Sequence, residues 1–136
     1  MSLPKIAVTM GDPAGVGPEV CLHLLQNTEI AQLCTPVVFG DAAVLAQAAV
    51  QCRLAKPDKI VAGLGEADVP SVFDIGAIGL RDFETGTANA ATGRAGYTYV
   101  ENAIYASLGG QLSAVTTSPL NMDGLRDAGI SFPGPT

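Results

Sequence analysis

Apolar positions along the chain fall into short runs closed by turn residues, with longer periodic stretches between them. Ile6–Thr9 is a short, β-branched-rich run and predicts a buried strand. Met10–Gly17 follows as a glycine- and proline-containing turn, and Pro18 and Glu19 open a helix. Pro suits the first helical turn and Glu complements the positive helix end. On that helix Val20, Cys21, Leu24 and Leu25 fall on one face, and Glu19, His23 and Gln26 on the other.

The alternation then repeats. Pro36–Phe39 predicts a second strand, closed by Gly40, and Asp41 is placed to cap an Ala-rich helix running to about Gln51. Lys59–Val61 predicts a third strand, Ala62–Pro70 a loop, and Phe73–Ile75 a short strand. Tyr97, Val100, Ile104 and Leu108 mark a helix from about Thr92 to Leu108, stopped by Gly109 and Gly110. Ala114–Thr117 predicts another buried strand, broken by Pro119, and a short helix runs from about Met122 to Ala128, with Gly129 closing it. Phe132–Thr136 is a loop signal, where an α/β unit would go on to another element. Strands alternating with helices predict an α/β fold with a mostly parallel sheet and flanking helices.

Composition narrows the class. The 136 residues suit one domain, and 48% hydrophobic content is that of a globular chain. Charged residues make up only 15%. So thin a charged surface predicts that part of it is covered by something else. The net charge is −6 and the seven basic residues form no patch, which argues against a nucleic-acid partner. Cys21, Cys34 and Cys52 show no CxxC spacing and read as free thiols of a reducing cytoplasm. No run reaches the roughly 18 apolar residues of a membrane span, and the N-terminus lacks a signal-peptide pattern.

The strongest chemical signal is Gly11-Asp12-Pro13-Ala14-Gly15-Val16-Gly17-Pro18-Glu19, at the carboxyl end of the first strand. Such a turn, opening onto a helix N-terminus, can receive an anion. It matches neither GxxxxGK[ST] nor GxGxxG, so the glycines alone assign no phosphate or dinucleotide. A tight turn that simply needs glycine is an equal reading for any one of them.

The wording of this turn, however, resembles the 4-hydroxythreonine-4-phosphate dehydrogenase family of vitamin B6 biosynthesis. Gly86–Tyr97 (GTANAATGRAGY), Ala114–Asn121 (AVTTSPLN) and Asp127–Gly134 (DAGISFPG) resemble further blocks of that family, in the same order. The resemblance implies the first lobe of an isocitrate/isopropylmalate dehydrogenase-like fold, a second lobe being absent. It also implies NAD and a divalent metal as the family's cofactors, a small phosphorylated hydroxy-acid substrate and a homodimer. No cofactor is expected on this chain, because the family's metal-binding histidines lie further along. His23, the single histidine, reads as a surface residue.

Two positions depart from the family pattern. Where the family has Lys after Pro-x-Asn, this chain has Met122, and where it has His before Thr, this chain has Pro135 followed by the matching Thr136. Both changes remove a hydrogen-bonding, chargeable group. The expectation is therefore a family chain inactive by itself. The alternatives are a non-catalytic anion-binding α/β domain, a phosphorylated threonate or erythronate dehydrogenase, an aromatic cis-dihydrodiol dehydrogenase, or an acyltransferase of the phosphate-acetyltransferase kind.

Overall fold

A computed structural model describes residues 3–131. Five strands form one sheet: β1 (Lys5–Thr9), β2 (Thr35–Gly40), β3 (Ile60–Val61), β4 (Ser71–Asp74) and β5 (Ala114–Thr117). All neighbouring pairs are parallel, in the order β3-β4-β2-β1-β5. The helices are α1 (Gly17–Leu25), α2 (Thr28–Leu33), α3 (Ala42–Cys52), α4 (Ala90–Leu108) and α5 (Met122–Asp127). This is the α/β architecture the alternation predicts.

The connections explain the layers. From β1 the chain passes through α1 and α2 to β2, and from β4 through α4 to β5, which lies on the other side of β1. Right-handed crossovers moving in opposite directions place their helices on opposite faces of the sheet. Accordingly α1 packs on α3, while α4 packs on β1, β2, β5 and α5. β2 is central and buried at all six positions, which is why it reads as a continuous apolar run. Phe39 and Phe73, paired across β2 and β4, meet edge to face at 5.1 Å between ring centres.

Several expectations are corrected. Thr28–Leu33 forms α2, signalled by Asn27, whose side chain accepts from the Ile30 N–H at 3.0 Å. On α1, Val20 is exposed and Leu22 is fully buried, because the helix turns Cys21 and Leu22 inward. On α4 the apolar stripe is buried only in part: Val100 is in the core, but Ile104 and Leu108 are exposed. Thr92, Ala95, Gly96, Ala103 and Ala106 pack inward as well, since small residues bring the helix closest to the sheet, and Tyr99 is buried among them. β5 is an edge strand paired only with β1 among the described strands, and it is largely exposed rather than buried. The Ala62–Pro70 loop contains a single 3-10 turn, Leu64–Glu66. No helix among the described residues is long and apolar enough to cross a membrane.

Candidate functional site at the sheet switch point

β1 is the strand from which the chain departs in both directions, so its carboxyl end, beside that of β5, is the crevice where parallel sheets receive ligands. The loops after these two strands meet there. Asp12 N–H donates to the Pro119 carbonyl at 3.2 Å, and Ser118 N–H to the Thr9 carbonyl at 3.0 Å. Gly11 makes the approach possible: its φ is +74°, and a Cβ there would lie 2.4 Å from the Pro119 carbonyl oxygen. The Gly11–Glu19 turn is thus built for backbone contact with the β5 loop as well as for entry into α1.

Asp12 holds the turn from inside. It is only 4% exposed. Its Oδ1 accepts from the Ala14 N–H at 2.8 Å and its carbonyl from the Gly15 N–H at 3.0 Å. Its Oδ2 has no hydrogen-bond partner and faces Gly124 in the first turn of α5. The positive end of that helix offsets part of the cost of burying the charge.

A cavity of about 500 Å³ opens beside the turn. Asp12–Val16, Pro18 and Glu19 form one wall; Val44, Gln47, Ala48 and Gln51 of α3 form another. Thr85, Gly86 and Ala88 close the third side, and Pro119–Asn121 the fourth. The third wall is fastened to the first by the Gly86 N–H, which donates to the Ala14 carbonyl at 2.7 Å. The polar side chains in the lining are Asp12, Glu19, Gln47, Gln51, Thr85 and Asn121, with no Lys, Arg or His among them. Such a lining offers hydroxyl and amide partners to a polar skeleton but no cation to a phosphate.

Two helices are anchored around this opening. Asn89 and Thr92 form a reciprocal cap at the start of α4, Asn89 Oδ1 accepting from Thr92 N–H and Thr92 Oγ1 from Asn89 N–H, each at 2.9 Å. Asn121 caps α5 by accepting from the Gly124 N–H at 2.9 Å. On the α4 side, Tyr99 is fully buried, with its hydroxyl beside the Asp41 carboxylate. Burial first, and the nearby Asp41 charge second, hold its phenol far above the usual range.

The expected site residues are only partly brought together. Met122 begins α5 directly after the cavity residue Asn121, but it is exposed and does not line the cavity. Pro135 and Thr136 lie outside the described residues. His23 is exposed, 3.9 Å from Glu19 on the outer face of α1. Sequence reasoning missed the α3 wall and Thr85; Gln47 and Gln51, one turn apart on an Ala-rich helix, were the available signal. Among the described residues no three His, Cys, Asp or Glu side chains come together to hold a metal ion.

Comparison with known proteins decides the family. Residues 32–136 match the family described as pyridoxal phosphate biosynthetic protein PdxA. The chain belongs to the PdxA family. A protein of Symbiobacterium thermophilum named for D-threonate 4-phosphate dehydrogenase activity is 34% identical over 98% of this chain. A 4-hydroxythreonine-4-phosphate dehydrogenase from Burkholderia phymatum superposes with a TM-score of 0.88 at 33% identity over 98% of this chain. A terephthalate 1,2-cis-dihydrodiol dehydrogenase from Burkholderia xenovorans LB400 follows, with a TM-score of 0.74 at 29% identity over 97% of this chain. The chain spans about two-fifths of each of these: 41%, 42% and 39% in turn. This PdxA-family chain accordingly has the isocitrate/isopropylmalate dehydrogenase-like α/β fold that the resemblance implied.

Proposed function

We propose that the protein serves the oxidation of 4-phosphohydroxy-L-threonine or a related phosphorylated hydroxy acid, such as the 4-phosphates of threonate and erythronate. NAD would take the hydride, a divalent metal ion would polarise the alcohol, and the assembly would be a cytoplasmic homodimer. The observation that supports the reading is the switch-point cavity, built by the Gly11–Glu19 turn locked onto the Ser118–Asn121 loop, in a chain of the PdxA family. The described residues do not themselves fit the metal, and the turn lacks a dinucleotide fingerprint. The roles assigned to them are therefore confined to binding and orienting the carbon skeleton. Thr85, Gln51 and Asn121 supply donors and acceptors for its hydroxyl groups, and the wall without cations turns the phosphate away.

In this reading Met122, Pro135 and Thr136 stand in the sequence where the family has substrate-binding residues, and Met122 follows the cavity residue Asn121 without lining the cavity itself. Met122 and Pro135 lack the charged or hydrogen-bonding group of their family counterparts, and Thr136 keeps its hydroxyl. Residues 1–136 form the first lobe, bind substrate and do not turn it over. An aromatic cis-dihydrodiol is the second reading, favoured by the likeness to the terephthalate enzyme.

Titration of the chain with 4-phosphohydroxy-L-threonine, D-threonate 4-phosphate and a terephthalate cis-dihydrodiol, followed by NMR with NAD and magnesium present, tests this. The expected result is a shift of the Asn121 and Gly86 amides with a phosphorylated acid and no NADH above a protein-free control. NADH formation overturns the inactivity. A response to the dihydrodiol alone overturns the substrate class, and no response to any of the three overturns the cavity as substrate site.

A further inference from the structure

Asp41 follows β2 at the position expected to cap α3, yet its side chain makes no cap hydrogen bond. The carboxylate, 2% exposed, turns to the next connection instead. Its Oδ1 accepts from the Ala77 N–H at 2.9 Å and its Oδ2 from the Ile78 N–H at 2.8 Å. The cap of α3 is supplied by Asp74, the register partner of Gly40 on β4, whose Oδ1 accepts from the Ala42 N–H at 3.1 Å. Each carboxylate therefore fastens the element that follows the other's strand.

The two fastened elements are two walls of the switch-point cavity. Asp74 holds the start of α3, which carries Gln47 and Gln51. Asp41 holds the start of the segment that carries Thr85 and Gly86 to the opening. The far end of that segment is tied down by the Gly86 N–H on the Ala14 carbonyl and by Asn89 Nδ2, which donates to the Asp82 carbonyl at 3.0 Å. Between these ties the segment is mostly exposed, and Phe83 is its one apolar side chain packed against the core.

We propose that Asp41 is a positioning residue for the cavity: through Ala77 and Ile78 it sets where Thr85 and Gly86 stand against the Gly11–Glu19 turn. The assignment rests on the substrate reading of the cavity for its purpose, but not for its geometry. A carboxylate suits the task because both oxygens accept, so two adjacent backbone N–H groups are satisfied by one side chain. An amide in its place keeps one acceptor and presents a donor to the other N–H.

Hydrogen exchange of the 136-residue chain, read by NMR, tests the proposal. Asp41→Asn is expected to speed exchange of the Ala77, Ile78 and Gly86 amides about tenfold, as loss of a buried charge-assisted bond should. The Val38 amide in the sheet centre should keep its wild-type rate. An unchanged Gly86 rate beside faster Ala77 and Ile78 rates overturns the proposal, since the anchor would then not reach the cavity. If the variant does not fold, wild-type exchange at increasing urea decides. Ala77, Ile78 and Gly86 should open together at lower urea than Val38, and a separate opening for Gly86 overturns the coupling. Titration with 4-phosphohydroxy-L-threonine adds the functional arm, with binding to Asp41→Asn expected about tenfold weaker. Equal affinity overturns the positioning role. Absence of binding by both chains overturns the substrate reading alone, because the exchange result still decides what Asp41 does.

Discussion

Gly93 of α4 and Gly124 of α5 meet backbone to backbone. A Cβ on Gly93 would lie 2.1 Å from the Gly124 carbonyl oxygen. No rotamer change can relieve that contact, because the obstacle is main chain. Since Asn121 and the β5 loop lead directly into α5, this crossing also sets one wall of the cavity.

Gly93→Ala is accordingly expected to destabilise the chain by about 3 kcal/mol or more, at the upper end of overpacking effects. The urea midpoint measures it. An unchanged midpoint would mean that α5 can slide away without cost.

Cys21 is fully buried, 3.9 Å from the Ser118 hydroxyl, and burial pushes its thiol up to about 11. At neutral pH about one molecule in ten thousand carries this thiolate, so Cys21 should resist thiol reagents until the chain unfolds. Cys34 and Cys52 are partly exposed and should react in the native state. A count of two fast thiols and one slow one is the expected readout.

The same shift has a pH consequence. A thiol held protonated in the fold stabilises fully below its ordinary value of 9.0 and loses that contribution as pH rises towards about 11. Stability should therefore fall over this window by at most about 1.4 kcal/mol per pH unit from this group. Cys21→Ala should flatten that part of the profile. An identical slope in the variant would assign the alkaline loss to other groups.

Asn89→Ala removes half of the reciprocal cap on α4 and should cost about 1 kcal/mol. Because Thr92 is its partner, Asn89→Ala and Thr92→Val should be strongly non-additive in a double-mutant cycle. Simple additivity would show that the two bonds act separately.

Met122→Lys with Pro135→His restores the family's two polar groups. The described residues hold no metal ligand set, so this double variant should still form no NADH from 4-phosphohydroxy-L-threonine in the presence of NAD and magnesium. NADH above the control would place the chemistry within these loops.

Apart from α2, the order of elements was legible in the sequence because it depends on local signals. β-branched runs, the Pro18–Glu19 helix start, the Gly109–Gly110 stop and the turn blocks act over a few residues, and the strands and helices stand close to the positions they predict. The Gly11–Glu19 turn was legible as a site for the same reason. Which side of an element is buried was not. Ile104 and Leu108 form an apolar stripe yet are exposed, whereas the small residues of α4 are buried, because close approach of backbones governs that contact and hydrophobicity does not report it. Asp41 shows the same limit: its position marks a cap, but only the fold brings Ala77 and Ile78 within reach and leaves the cap to Asp74. The cavity is likewise a tertiary product, since its four walls come from segments more than 100 residues apart in the chain, between Asp12 and Asn121. Sequence periodicity is a property of neighbours, and this site is made by strand order.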